Sequence, residues 1–311
     1  MKVLLLALFN LTFTHTALTQ SIVKSVADPT KKPTIVLSIS NSIPPYNMID
    51  EKIPDYPGIQ VEIVDLVFKR LGYKVDWRTM TNNRAFNEMR SGHIDGSLNN
   101  SSIIDERATG KYYNSLDIID FENCLIGPLS KKKSFTKIDK FYAQLKRNPK
   151  IRLIGFQGAS ITFKEVLPNL LTLKNYDEVP HQKTLAATLL AGRTNYILSD
   201  YQVFKYYATK VKPALNSNTK DSFTCLHRIP SGPHNVTFRD NTIRKNFDLE
   251  MQKLIDSGEK EKIIKKYQLF LTQYLKKGAG LMPMHQNIAE ATNRNEISTN
   301  PAGNSPLVVS D

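Results

Sequence analysis

Cysteine and long apolar runs are scarce in this chain of 311 residues. The only cysteines are Cys124 and Cys225. In an exported protein a bridge between them is permitted, but sequence alone does not bring their Cα atoms within reach. A disulfide and two buried small hydrophobes therefore both remain open. Past the N-terminus no apolar stretch approaches the roughly 20 residues needed to cross a bilayer, which excludes a membrane span. No cysteine follows the N-terminal apolar run, which argues against a lipid-anchored start. Metal-ligand spacing, a nucleophile elbow and a phosphate-binding glycine loop are all missing. His93, His181 and His227 stand isolated, so no acid or base suggests itself and an enzyme is not expected.

What is present is apolar material for a core, with 41% hydrophobic and 23% charged residues. The length suits one large domain or two ordinary ones. Lys2 followed by Val3 to Phe9, with a weakly polar exit to Gln20, has the form of a secretory signal peptide over residues 1–19. Ala17 and Thr19 suit the −3 and −1 positions of cleavage. A buried first strand or helix is the alternative. The formal charge is +13. Only short basic runs such as Lys131-Lys132-Lys133 occur and no nucleic-acid motif accompanies them. The charge reads as solvated surface, favouring anionic ligands or membrane surfaces, with no nucleic-acid partner.

Periodicity predicts a strand at Thr34 to Ile39 and a helix over 59–71 with Ile59, Ile63, Leu66, Val67 and Leu71 on one face. A strand at Tyr73 to Trp77, a short helix from Ala85 to Ser91 ended by Gly92 and a strand near Ile94 to Leu98 follow. The pattern returns as a strand at 151–155, a helix at 184–190 stopped by Gly192 and a strand at Tyr196 to Leu198. Two such α/β units predict two lobes of similar build, each with a largely parallel sheet. Further helices are predicted over 241–256 and 259–267. Residues 278–311, rich in Asn, Ser, Thr, Pro and Gly, read as a mobile tail.

In this order the segments resemble the family-3 bacterial extracellular solute-binding proteins. The resemblance rests on Ile43-Pro44-Pro45-Tyr46, Gly58 to Val64, Arg90 to Gly96, Asp105-Glu106-Arg107, Phe156 to Ser160 and the closing helices to Tyr267, and covers about 33–270. It implies an α/β, two-lobed periplasmic-binding-protein fold (type II) with two hinge strands. Lobe one would be 33–126 plus 234–275 and lobe two 130–228, with hinges near 124–130 and 229–237. It further implies a periplasmic monomer that closes around an amino-acid-like or organic-anion ligand and serves a membrane permease or a sensor. Relatives that are cyclohexadienyl dehydratases, and free-standing sensory receptors, are the alternatives. No cofactor or metal is expected.

The resemblance also assigns residues. Arg107 and Ser102 would hold the ligand carboxylate, because a guanidinium binds it bidentately. Asn100 would offer backbone groups. Asp200 would take the ammonium or cap the helix behind it. Gly158 and Ser160 would supply donors at a helix start, an anion site unless they merely cap. Arg84 would point into the cleft or lie in solvent, and Tyr46 and Phe156 would be aromatic walls or core. Three positions depart from the family pattern. Ile104 replaces a threonine, Ile43 a stacking aromatic, and Ser40 an acid found in binders of basic amino acids, which disfavours a basic ligand.

Overall fold

The first strand, β1 (Thr34–Ile39), buries Ile35, Leu37 and Ile39. It lies between β2 (Lys74–Thr79) and β3 (Gly96–Ser97), parallel to both. Helix α1 (Ile59–Arg70) joins β1 to β2, and α2 (Asn82–Ser91) joins β2 to β3. The computed structural model describes residues 32–40, 42–99, 112–135, 137–211, 223–230 and 234–277. The expected signal peptide, the tail, and Asn100, Ser102 and Arg107 lie outside the described residues.

The second sheet repeats the arrangement. Here β6 (Leu153–Phe156) stands between β7 (Tyr176–Val179) and β8 (Tyr196–Asp200), again parallel to both. The equivalence extends to the helix ends. Gly92 and Gly192, which follow α2 and α5 (Gln182–Leu190), have φ of 82° and 67°. Glycine adopts that left-handed geometry without steric penalty, so each helix stops there and the chain turns into the next strand.

Each sheet is completed by strands from beyond its own unit. β4 (Tyr113–Asn114) and β10 (Thr237–Phe238) extend the first sheet, giving the order β2-β1-β3-β10-β4. β5 (Asn123–Pro128) and β9 (Phe223–Arg228) extend the second, giving β7-β6-β8-β5-β9. The chain therefore crosses between sheets twice, between β4 and β5 and between β9 and β10. The expected first-lobe limit of 126 falls inside β5, which pairs antiparallel with β8 on one edge and β9 on the other. Cys124 and Cys225 are bridged, with Cα atoms 5.5 Å apart, and the bond ties β5 to β9.

One face of the second sheet is covered by α3 (Ile138–Arg147), the short α4 (Ala159–Thr162) and the segment that follows it, through Phe141, Leu145, Phe163 and Leu167. Its other face carries α5 and α6 (Tyr201–Val211). The apolar cluster there continues into the first sheet, including Leu37 and Ile59 together with Ile126, Ile197 and Tyr206. Helices α7 (Asn241–Asp256) and α8 (Glu259–Lys277) close the molecule. The sequence predicts the second of these only to 267. It runs on because Phe270 and Leu271 are buried and Tyr274 stacks on Tyr206 of α6, with ring centroids 4.6 Å apart. No described helix is long and apolar enough to cross a membrane.

Candidate functional site

Parallel strands end where their helices begin, and the backbone there is free to turn toward a ligand. In open α/β sheets ligands gather at these carboxyl ends. In this molecule the carboxyl ends of strands from both sheets meet around one cleft of about 100 Å³. Ser40, Met80 and Leu98 follow β1, β2 and β3. Gln157, Pro180 and Asp200 stand at the ends of β6, β7 and β8. Phe121 and His234, from the two crossings, also line it.

Asp200 is the charged group of this cleft, 3% exposed. Its Oδ1 accepts from the N–H groups of Gln202 (2.8 Å) and Val203 (3.0 Å), so it caps α6. Its Oδ2 accepts from the Tyr46 hydroxyl (2.9 Å) and the Glu122 N–H (2.5 Å). A carboxylate offers about four lone-pair sites, and these four donors occupy them. Burial pushes the Asp200 carboxyl above its ordinary value, while the Val203 N–H, the Tyr46 hydroxyl and the other backbone donors pull it down. Burial, with Asp200 beside it, also drives the Tyr46 phenol well above its usual range.

Tyr46 thus reaches from the first sheet to the end of a second-sheet strand. Its ring stacks on Phe121 at 4.1 Å, and Phe121 stacks on His234 at 3.7 Å. The column joins both crossings at the cleft. Burial pushes the His234 imidazole down to about 4, against the pull of Asp120, so it is neutral near pH 7. The sequence reading passed over His234 and Phe121, because neither lies in a motif. Their position just before β10 and β5 was the only available signal.

Beneath the first-sheet wall lies a buried polar chain. The Ser38 hydroxyl donates to Ser97 Oγ (2.7 Å), and Asn99 Nδ2 donates to Asn82 Oδ1 (3.0 Å). Asn82 Nδ2 then donates across the cleft to the Gln157 carbonyl (3.4 Å). Glu51 makes a second cross-sheet contact. It accepts from the Tyr206 hydroxyl (2.9 Å) and pairs with Lys210 (2.5 Å). Burial raises the Glu51 carboxyl, but these donors outweigh it and leave a net lowering.

The expected donors at Gly158 and Ser160 are already engaged. Both N–H groups donate to the Glu178 carboxylate, each at 2.7 Å, and the Tyr176 hydroxyl donates to it at 2.9 Å. An internal carboxylate on β7 occupies the place the sequence reading kept for an external anion. Glu178 was missed because it is distant in sequence and only parallel pairing with β6 brings it there. Arg84 lies at the surface of α2, its side chain 68% exposed and 3.4 Å from Glu88 Oε1. It is not among the cleft-lining residues. Phe156 lines the cleft and also packs edge-on against Phe163, so it is wall and core together. The structure thus puts Asp200 and Phe156 in the cleft wall, keeps Tyr46 behind Asp200 as its hydrogen-bond partner and not as a lining residue, and leaves Arg84 outside. Among the described residues no group of three or more His, Cys, Asp or Glu is placed to hold a metal ion.

Comparison with known proteins gives a consistent picture. The model for bacterial extracellular solute-binding proteins, family 3, matches residues 35–270. Among solved structures, the chain is similar to an amino-acid ABC-transporter substrate-binding protein of Streptococcus pneumoniae bound to L-arginine. The TM-score is 0.55 at 18% identity, over 75% of this chain and 94% of that one. A histidine kinase sensor domain with similarity to periplasmic binding proteins gives 0.58 at 16% identity, over 76% and 96%. The ancestral amino-acid-binding protein described as a precursor of cyclohexadienyl dehydratase gives 0.58 at 17% identity, over 75% and 95%. At these identities the likeness establishes the shared two-lobed fold. No curated protein matches the chain.

Proposed function

The chain belongs to the bacterial extracellular solute-binding proteins, family 3, and from that premise we propose that it captures a small amino-acid-like solute between its two sheets and delivers it to a membrane transporter. The observation that carries this reading is the convergence of strand ends from both sheets on one cleft holding the buried carboxylate of Asp200. In this reading lobe one comprises 33–114 with 234–277 and lobe two 123–228. The chain is exported to the periplasm and loses residues 1–19.

Arg107 and Ser102 hold the ligand carboxylate, and Asp200 takes the ammonium. Because four donors already fill Asp200, an arriving ammonium must displace one of them. The Tyr46 hydroxyl is the donor that can leave at least cost, since the backbone N–H groups are fixed by the fold. Binding therefore exchanges a hydrogen bond from a neutral phenol for one from a cation, so that both partners are charged. The cleft volume of about 100 Å³ favours a compact solute; an apolar cavity of about 150 Å³ accommodates benzene.

A thermal-shift screen of the common L-amino acids and small organic anions, followed by calorimetry, tests the proposal, because a ligand selective for the folded state raises its melting point. Asp200→Asn is expected to weaken an α-amino acid by at least about 30-fold while sparing an anion without an amine. Tyr46→Phe is expected to preserve or improve affinity. Unchanged amino-acid affinity in Asp200→Asn rejects the ammonium role, and no response to any compound rejects the ligand class.

His234 favours one second reading, an enzyme of the dehydratase type, because it and Asp200 are titratable groups sharing the cleft. Consumption of prephenate or arogenate that disappears in His234→Gln would establish it in place of simple capture.

A further inference from the structure

The excess positive charge is not spread evenly. Residues 129–174 hold eleven Lys and Arg against two acidic residues, Asp139 and Glu165. Residues 32–99, which build most of the first sheet and its helices, hold eight of each. A stretch of under one-sixth of the chain thus carries a net nine of the overall formal charge of +13.

Apart from β6, the central strand of the second sheet, the fold lays this stretch over one face of that sheet. Ile138, Phe141 and Leu145 of α3 point into the second sheet, together with Phe163, Leu167 and Leu170 of the neighbouring segment. The two parts are fastened to each other. The Tyr142 hydroxyl donates to the Pro168 carbonyl, and Asn175 Nδ2 donates to the carbonyls of Leu145 (2.9 Å) and Ile151 (2.7 Å). Since the apolar sides are spent on the core, the cations must face outward, and all eleven are exposed. On α3, Lys140 and Arg147, one heptad apart, lie on the side away from the buried Phe141 and Leu145. Among these cations the layer also exposes apolar side chains, Leu171 at 70% and Leu129 at 49%.

Arg152 pairs with Asp177 at 3.2 Å, but the layer keeps a large positive excess, and this field attracts a counter-charged partner most strongly at low salt. Single leucines surrounded by lysines suit a surface that is anionic outside and apolar a few ångströms in. We propose that the exposed cationic face of α3 and its flanking segments, within 129–152 and 163–174, is a docking surface for anionic phospholipid headgroups. It orients the protein on a membrane independently of the cleft. Each cation near an anionic leaflet strengthens partitioning by about fivefold, an effect that fades within about a Debye length.

The test is cosedimentation of the full chain with vesicles of phosphatidylcholine, with and without phosphatidylglycerol. Binding is expected only to the anionic vesicles and is expected to fall with added salt. The variant Lys140→Glu/Lys146→Glu/Arg147→Glu/Lys150→Glu is expected to lose about 100-fold or more in partitioning. A control with the same change in total charge elsewhere, Lys69→Glu/Lys74→Glu/Lys245→Glu/Lys265→Glu, is expected to lose less than tenfold. Circular dichroism checks that both variants fold, and Leu171→Asp with the charges intact gives a second measure of the same face. Equal losses in the two quadruple variants would show that total charge, not this layer, sets binding. Equal binding to neutral and anionic vesicles, or capture of a DNA oligonucleotide with no vesicle binding, also overturns the proposal.

Discussion

In the first sheet β1 stands between β2 and β3, and in the second β6 stands between β7 and β8. Both receive an antiparallel strand from a crossing as their fourth member, β10 and β5. The two halves differ in how polar groups near the strand ends are satisfied. The first half uses neutral side chains, Ser38, Ser97, Asn99 and Asn82, linked in a buried chain. The second half uses carboxylates, Glu178 on the Gly158 and Ser160 donors and Asp200 on the start of α6. The second half alone carries a disulfide among the described residues, and its outer layer carries most of the net charge. One topology therefore tolerates opposite electrostatic solutions, because strand order depends on apolar pattern and chirality and not on which polar group caps a turn.

The largest expected effect is on the second half. The bridge between Cys124 and Cys225 closes a loop with a sequence separation of 101. Chain-entropy arguments put its loss at about 5 kcal/mol. The double variant Cys124→Ser/Cys225→Ser is expected to melt many degrees lower than the parent, as followed by calorimetry. Equal melting points would show that β5 and β9 are held by their pairing alone.

The next effect sets Asp65 of the first half against His234 at the second crossing. Burial raises the Asp65 carboxyl to about 6 despite the hydrogen bond from Trp77 Nε1. Its contribution to stability is present below its unfolded value near 3.8 and is lost as pH rises through 6. His234 has the opposite sign. Its folded value is lowered from 6.5 to about 4, so stability is present above 6.5 and is lost as pH falls through 4. The His234 contribution is at most about 3 kcal/mol, and that of the more exposed Asp65 is smaller. The two largely cancel, so stability between pH 4 and 6.5 is expected to be nearly flat. Asp65→Asn should uncover the histidine, giving urea midpoints that climb with pH. A midpoint independent of pH in that variant would rule out a buried, neutral His234.

A smaller effect separates the two ways of satisfying strand ends. Glu178→Ala strips the partner from two N–H groups and the Tyr176 hydroxyl, at an expected cost of about 2 kcal/mol in denaturant unfolding. Added sulfate should recover part of it, because the vacated groups then donate to an external anion. Stability indifferent to sulfate would mean that these donors close on one another or on water.

Much of this was open to reading along the chain. The 3.6-residue period of α1, the glycine stops at Gly92 and Gly192 and the alternation of strand and helix mark two α/β units, and the matched segments indicate the family. Local geometry dictates these features, since helix period and left-handed turns involve only near neighbours. The extension of α8 was not legible, because Tyr274 gains its reason to be helical from Tyr206 of a distant helix. Likewise the family resemblance implies a first-lobe limit near 126, whereas β5 pairs within the second sheet.

The cleft divides in the same way. That Asp200 ends a strand and starts a helix is a local fact, and the sequence alone determined it. That its carboxylate is saturated by Tyr46 and Glu122, that Glu178 fills the donors at Gly158 and Ser160, and that His234 enters the cleft were decided only by tertiary structure. Each depends on groups brought together by sheet pairing or by the two crossings. A hydrogen bond reaches about 3 Å, so no pattern along one strand reveals which distant side chain supplies its partner.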